Sequence, residues 1–459
     1  MKRSNRPQQL HTLPSSANID WSKYESKNYL HFDKPINISH FKRKLQNPNW
    51  VASYPFLPSI HFNIDIKKYV TVSKNKSLPI HERKEKKTKR REIYYAAHKD
   101  RFIYKYYGDL LNNAYNDYAK DHNIDEVAIA YRNNKGKSTI DSAFEVFKFI
   151  FEHDHAVIIS IDFTSFFDNI DHRTLKRNIK DVLGVRELPL DWYKVYRSLT
   201  QFTYVRRTDV DAFLKQRYGV KELKRIRRNR QLTRIMEPSD FRSFKEKHLF
   251  KNKKPYGIPQ GSGMSAVCSN VYLVHFDKEI KGWADYHQAL YRRYSDDLIL
   301  VVPISGVSAA TITQLKNEIF QIILKYKDHG LKIQAEKTKI RSYTAGAIFD
   351  QNQCTSTLDY LGFVTDGSTI RLREKSLFKY YCRAYRKADT SKRIAYVTQR
   401  KGPRRELYQI YTHLGMNYKG YGNFISYAYR AHKKMSQLKA ISHIRNQVKR
   451  HWNKIHKRL

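Results

Sequence analysis

The chain has 459 residues, with 87 Lys and Arg against 43 Asp and Glu, for a net charge of +44. That length gives two or three structural units with a sizeable core, and 14% aromatic residues exclude wholesale disorder. So large a cationic surplus points to an anionic polymer or surface as partner, nucleic acid first and an anionic membrane second. The longest apolar runs, such as Leu298–Val302 and Val157–Ile161, fall far short of the ~20 residues of a spanning helix. The basic stretch Met1–Asn18 is followed by no apolar segment, so a secretory signal is not expected. Cys268, Cys354 and Cys382 are far apart and lack zinc spacing. This excludes a disulfide scaffold and predicts a cytoplasmic protein with free thiols.

Residues 1–80 mix prolines and aromatics with short charged runs, without a repeat or a Gly/Ser linker. Residues 81–92, HERKEKKTKRRE, form a dense basic block, either a solvated helix face or a phosphate-contacting surface. Ile140, Phe144, Phe147 and Phe151 recur at helical spacing, with Ser138 placed to cap the start. Glu152-His153-Asp154-His155 has the composition of a metal site but reads as a solvated connection. Ala156–Ile161 then reads as a short buried strand with Asp162 at its end. Residues 172–250 are helix-like and polar, with a basic middle at Lys221–Arg230. Met264, Val267, Val271 and Val274 mark an amphipathic helix. Tyr291–Tyr294 and Leu298–Val302 flank Ser295-Asp296-Asp297 as a hairpin with two carboxylates at its tip. Ile312, Leu315, Ile319 and Ile322 give a helix ending by Gly330. Strands alternating with helices and hairpins predict an α+β sheet domain. Residues 365–459 carry 24 Lys and Arg against 4 Asp and Glu, interleaved with tyrosines such as Tyr380, Tyr381 and Tyr421. That is the make-up of a nucleic-acid groove or of a tyrosine-rich helical core with a basic face.

Three elements bear on chemistry: ISIDFTSFFD at 159–168, GIPQGS at 257–262 and YSDD at 294–297. Phosphoryl transfer to a growing chain needs an activated hydroxyl and a restrained triphosphate, and two Mg²⁺ ions ~3.5–4 Å apart supply both. Mg²⁺ takes hard oxygen ligands and usually one or two carboxylates. A carboxylate from one strand and one from a neighbouring hairpin turn can bridge such a pair, which makes Asp162 and Asp296 the candidates, with Asp297 nearby. By itself an Asp-Asp in a turn is ordinary turn chemistry.

In this order, FTSFFDNID after a strand, GIPQGS and YSDD in a hairpin resemble the palm of a reverse transcriptase. The likeness continues through Gly330-Leu331-Lys332-Ile333 with Glu336-Lys337-Thr338-Lys339, and through the primer-grip pattern Leu358-Asp359-Tyr360-Leu361-Gly362-Phe363. It covers roughly residues 90 to 365.

The resemblance implies an α+β right-hand polymerase. Residues 1–80 would be an N-terminal extension and 81–155 the fingers. Residues 156–365 would be the palm, with a basic helical insertion around 172–255, and 366–459 a basic helical thumb. Asp162, Asp296 and Asp297 would carry catalysis and hold two Mg²⁺, for which Mn²⁺ can substitute, with the carbonyl of Phe163 also touching metal. Phe167 falls at an aromatic gate that would clash with a 2′-hydroxyl and so favour deoxynucleotides. Gln260 and Gly261 would line the nucleotide and template pocket, and Lys337 would act in catalysis near the leaving pyrophosphate, neutralising charge or donating a proton. Arg91 and Arg101 fall near triphosphate-binding positions, Arg90 and Lys99 being alternatives. Tyr360, Leu361 and Gly362 would form the primer grip. Expected partners are an RNA template, such as a noncoding RNA, with dNTPs and a DNA product, and a partner protein or a second copy is open. His31-Phe32-Asp33, Phe56–Ile60, Tyr131-Arg132 with Gly136-Lys137-Ser138, and Met264-Ser265-Ala266 are similar to bacterial defence-associated and abortive-infection reverse transcriptases. The implied function is RNA-directed DNA synthesis in antiviral defence, priming on a 3′-hydroxyl or a protein side chain. The rivals are a retron- or intron-type enzyme, an RNA-dependent RNA polymerase, and an idle RNA-binding protein on a polymerase scaffold.

Overall fold

The computed structural model describes residues 14, 19–73, 77, 79–229, 231–333 and 338–459. The early strands are β1 (Ser59–Thr71), β2 (Lys84–Tyr95), β3 (His155–Asp162), β4 (Thr203–Arg206) and β5 (Phe250–Lys251). A hairpin follows in β6 (Leu290–Tyr294) and β7 (Asp297–Pro303), then β8 (Lys339–Thr344) and β9 (Ala347–Phe349). The last are β10 (Leu358–Tyr360), β11 (Phe363–Thr365), β12 (Thr369–Leu372) and β13 (Ile441–Ser442). Helices with small, mostly antiparallel sheets make this the expected α+β class. The chain forms two compact units, one from 1–133, 163–278 and 325–332, the other from 134–162, 279–324 and 333–459.

In the first unit a sheet runs in the order β2-β1-β4-β5. β1 and β2 pair antiparallel from Ile60↔Tyr95 to Thr71↔Lys84, whereas β4 joins β1 in parallel only at Ser59–His61. Beyond His61 the two strands therefore form a ribbon that pairs, among the described residues, only with itself. This corrects one reading of the basic block: Lys84–Glu92 is a strand, not a helix face. Beside the sheet, the helix His98–Asp121 buries Tyr107, Leu111 and Tyr115. The Asp33 carboxylate accepts hydrogen bonds from the His98 and Lys99 backbone N–H groups, both at 2.9 Å, and so satisfies the open start of that helix. Phe32, Ile60, Val205, Leu214, Leu223, Ile235 and Phe244 share one apolar cluster, which ties the N-terminal segment to the helices of the basic insertion.

The second unit is built on the sheet order β6-β7-β3-β8-β9. Ala156–Ile159 are buried at its centre, β3 lying antiparallel between β7 and β8. The helix Thr139–Phe151 opens on Ser138, the cap the sequence predicts, and Asp141 completes a capping box with it. Glu152 closes that helix and His155 begins β3, and no group of three or more metal-ligating side chains occurs among the described residues. A further sheet, β10-β11-β12-β13, joins the helix Glu374–Thr398 and the shorter helices after it. There Ala384, Ala388, Leu407 and Ile455 form a core flanked by Tyr385, Tyr408 and Tyr411. Tyr380 and Tyr381 are buried, while Tyr421 is 70% exposed, so the tyrosines of 365–459 divide between core and surface.

The segment after Gly263 also departs from expectation. Ser265–Tyr272 is a helix buried almost all round, and a second helix, Val274–Tyr286, begins beyond Leu273. Its small residues Ser265, Cys268 and Ser269 fit this largely interior position. The three cysteines are free thiols, and burial pushes the Cys268 thiol up to about 12. No helix among the described residues is long and apolar enough to cross a membrane.

Candidate active site

Antiparallel pairing sets the position of the acidic residues. β3 and β7 are in register from Ala156↔Pro303 to Asp162↔Asp297, so the last residue of β3 stands directly opposite the first residue of β7. Directly opposite residues project to the same face, with Cα atoms about 4.5–5.5 Å apart. β6 and β7 pair up to Tyr294↔Asp297, which leaves Ser295 and Asp296 as a two-residue hairpin loop. Such loops need a positive φ at their first residue to match strand twist. Ser295 supplies it at +59°, an unusual conformation for a residue with a side chain. Asp162, Asp296 and Asp297 thus occupy one strand end and one adjacent turn.

The turn has a buried support that the sequence reading missed. Arg293 is fully buried, the largest such side chain in the protein's described part, and its Nη1 donates to the Ser295 carbonyl at 2.9 Å. Strand parity could have found it, because Arg293 shares a face with the buried Tyr291.

Like charges directly opposite across a strand pair are destabilising, and a divalent cation removes that repulsion. The donor set is all carboxylate oxygen, which suits Mg²⁺ or Mn²⁺ rather than a soft metal. The described side chains do not close into a three-ligand cage.

The same unit holds the expected primer grip. Tyr360↔Phe363 closes a hairpin whose two loop residues, Leu361 and Gly362, both have positive φ, +46° and +95°. Gly362 adopts this readily, whereas a branched Leu361 is strained. Tyr360 is buried, and that burial raises its phenol.

The first unit holds the residues expected around the nucleotide. Phe163 is buried against Phe166 and Phe276. Of the adjacent rings, Phe166 is buried and Phe167, the expected gate, is half-buried and packs edge-on against Phe166 at 5.5 Å. The carbonyl of Phe167 accepts from the Ile258 N–H at 3.0 Å, joining the first motif to the GIPQG loop. Gln260 accepts from the Tyr94 N–H at 3.2 Å, and a Cβ on Gly261 would lie 2.9 Å from the Tyr94 carbonyl. With φ at +109°, only glycine fits that approach.

Asp168, unassigned from sequence, belongs to this cluster. Desolvation raises its carboxyl, Glu92 adds to the rise, and a Gln260 hydrogen bond with Lys254 and Lys89 opposes it. Lys89 and Lys254 are therefore the cations acting electrostatically on Asp168. Arg91 is exposed on β2 opposite Ile64. Arg101 is half-buried and donates to the Glu25 carbonyl at 2.5 Å, so it is engaged with the N-terminal segment. Lys337 lies outside the described residues.

No curated protein matches the chain. Among solved structures, apo telomerase from Candida tropicalis truncated from its C-terminal domain gives a TM-score of 0.39 at 11% identity, over 74% of this chain and 61% of that one. Telomerase from Candida albicans in complex with the TWJ fragment of telomeric RNA gives 0.39 at 12% identity, over 92% and 66%. The chain thus spans less than two thirds of the length of these telomerase chains. The reverse transcriptase (RNA-dependent DNA polymerase) family model matches residues 83–365, more than half of the sequence and inclusive of every acidic and glycine-bearing motif described above. On that match the chain belongs to the reverse transcriptase family.

Proposed function

We propose that the protein is an RNA-directed DNA polymerase that adds dNTPs to a primer on an RNA template with two Mg²⁺ ions. The observation that carries this is the register Asp162↔Asp297 with Asp296 in the intervening turn, which sets three carboxylates at a strand end and the adjacent hairpin tip. When bound, the ions lower the pKa of the attacking 3′-hydroxyl and neutralise the triphosphate. Asp162, Asp296 and Asp297 hold and orient that charge, and Arg293 keeps the hairpin in place. Phe167 excludes a 2′-hydroxyl, Gln260 and Gly261 present backbone and amide to the nucleotide, and the Leu361–Gly362 turn holds the primer end. The basic fingers (81–155) and the basic segment 366–459 hold the nucleic acid, with 156–365 as the palm.

The setting we propose is bacterial antiviral defence, on the likeness of the His31-Phe32-Asp33, Phe56–Ile60 and Tyr131-Arg132 segments to enzymes of that group. Phage plating with wild type against Asp296→Asn tests it, and equal protection by both would favour an idle RNA-binding scaffold.

The enzymatic test is primer extension on an RNA template. Asp162→Asn and Asp296→Asn are expected to lower dNTP incorporation by at least about a thousandfold, ~4 kcal/mol of barrier. Their thermal midpoints should stay close to that of the wild type, which separates lost chemistry from lost fold. Phe167→Ala should raise rNTP use relative to dNTP use. A wild-type protein that incorporates ribonucleotides equally well would point instead to RNA synthesis.

A further inference from the structure

A cleft of about 330 Å³ in the first unit lies between the Pro55–Ser59 segment, the helix Leu190–Thr200 and the start of β4. Its volume is at the small end for ligand pockets, ~300–1,000 Å³. Its walls combine the rings of Phe56, Tyr104 and Phe202 with the cations Lys194, Arg197 and Lys251, and include no carboxylate. Phe56 and Phe202 are half-buried, so part of each ring is open to an occupant, whereas Tyr104 is buried beneath Phe56 at a ring separation of 5.4 Å. Arg197 and Lys251 are exposed at the rim.

The cleft is built rather than incidental. Buried Asp100 accepts from the Tyr54 hydroxyl at 2.8 Å and from the Leu57 N–H at 2.9 Å, which fixes the segment that carries Phe56. Ser198 accepts from the Tyr104 hydroxyl at 3.1 Å and donates to the Val195 carbonyl at 2.8 Å, so one lone pair remains for a donor on a ligand. Gln201 adds an amide able to read a base edge.

One wall of the cleft is also linked by packing to the Gln260–Gly261 loop. Phe202 packs on Tyr94 at 4.9 Å, and the Tyr94 N–H is held by Gln260. Asn252 donates its backbone N–H to the Phe202 carbonyl at 2.9 Å and its side-chain amide to the Tyr256 carbonyl at 3.2 Å.

We propose that this cleft takes one unpaired nucleotide of the template strand, its base against Phe56 and Phe202 and its phosphate against Lys194, Arg197 and Lys251. The inference rests on the polymerase reading and adds to it a second holding point, away from the carboxylates, for template not yet copied. Rings that stack any base beside cations that track the backbone give sequence-tolerant capture of single strands. The absence of a carboxylate in the lining and the adjacency to Gln260 favour this occupant over a free metabolite.

The test uses the full chain and two RNA-template/DNA-primer duplexes, one blunt and one with a short 5′ template overhang carrying 4-thiouridine. The overhang should tighten binding on the order of tenfold, the size of one base–aromatic stack. Phe202→Ala and Arg197→Ala should remove that increment while blunt-duplex affinity stays. Photocrosslinks on wild type should map to peptides holding Phe56 or Phe202, a readout that needs no variant to fold. Crosslinks that map elsewhere, or variants that keep the increment, overturn the proposal and leave the polymerase reading standing. An acidic polypeptide as the true occupant would also leave the increment untouched. A protein that binds neither duplex and adds no dNTP would remove both readings together.

Discussion

The hairpin tip at Ser295–Asp296 shows how one buried residue, Arg293, can help set the position of acidic groups through the backbone of their turn. Ser295 holds a backbone conformation that disfavours side chains, and such strain persists where surrounding structure over-determines it. Arg293 supplies part of that constraint, from a position where an arginine is costly to bury unless its donors are satisfied. Replacing Arg293→Met should destabilise the fold by about 1–3 kcal/mol, as expected for a buried acceptor losing its donor. A merely structural role would stop there. A positioning role should also lower kcat roughly tenfold with little change in the KM for dNTP, because the carboxylates shift against the reacting atoms. Arg293→Lys, which keeps charge and one donor but not the planar fork, should recover part of the turnover. If turnover in Arg293→Met stays within about twofold of wild type, about 0.4 kcal/mol, the positioning role is lost.

At the scale of elements, pairing decided what local pattern could not. The acidic hairpin was legible because apolar residues on both sides of Ser295-Asp296 fix a register, and register fixes which side chains meet. The capping of Thr139–Phe151 was legible for the same local reason. β2 was not, because Lys84–Glu92 is exposed throughout and shows no alternation of its own. Its conformation comes from hydrogen bonding to β1, and the parallel β12–β13 pair likewise joins residues about seventy positions apart. The helix His98–Asp121 carries a testable consequence of such long-range packing. Burial raises the Asp100 carboxyl to about 7, with Asp33 adding to the rise, while the Tyr54 hydroxyl, the Leu57 N–H and Lys99 oppose it. An unfolded aspartate titrates near ~3.9, so between those values the native state keeps a proton that the unfolded chain has released. Its stabilising contribution is complete below the unfolded value and is lost as pH rises through 7. Urea midpoints for wild type minus Asp100→Asn should therefore decline from pH 5 to pH 8. The difference cancels His31, which burial holds at about 3 and which acts in the opposite sense. A flat difference would mean that Asp100 titrates normally.

For the whole molecule, the question raised by a net charge of +44 is whether the surplus acts as a diffuse field or through local contacts. The structure distributes it unevenly. β2 places six Lys and Arg against two Glu on a two-stranded ribbon with β1, while the helix Val220–Arg228 carries comparable exposed charge backed by Leu223 and Ile226. A diffuse field would make these two clusters interchangeable, because only the total would matter. Contacts to phosphate would not, since each one neutralised releases counterions and adds ~0.7–0.9 to the slope of log K against log salt. Changing Lys84, Lys86 and Lys87 to Gln should then lower the slope for template–primer binding by about 2. The same triple change at Lys221, Lys224 and Arg228 should lower it by clearly less. Equal slopes in the two variants would assign the surplus to long-range attraction and take the ribbon out of the nucleic-acid path.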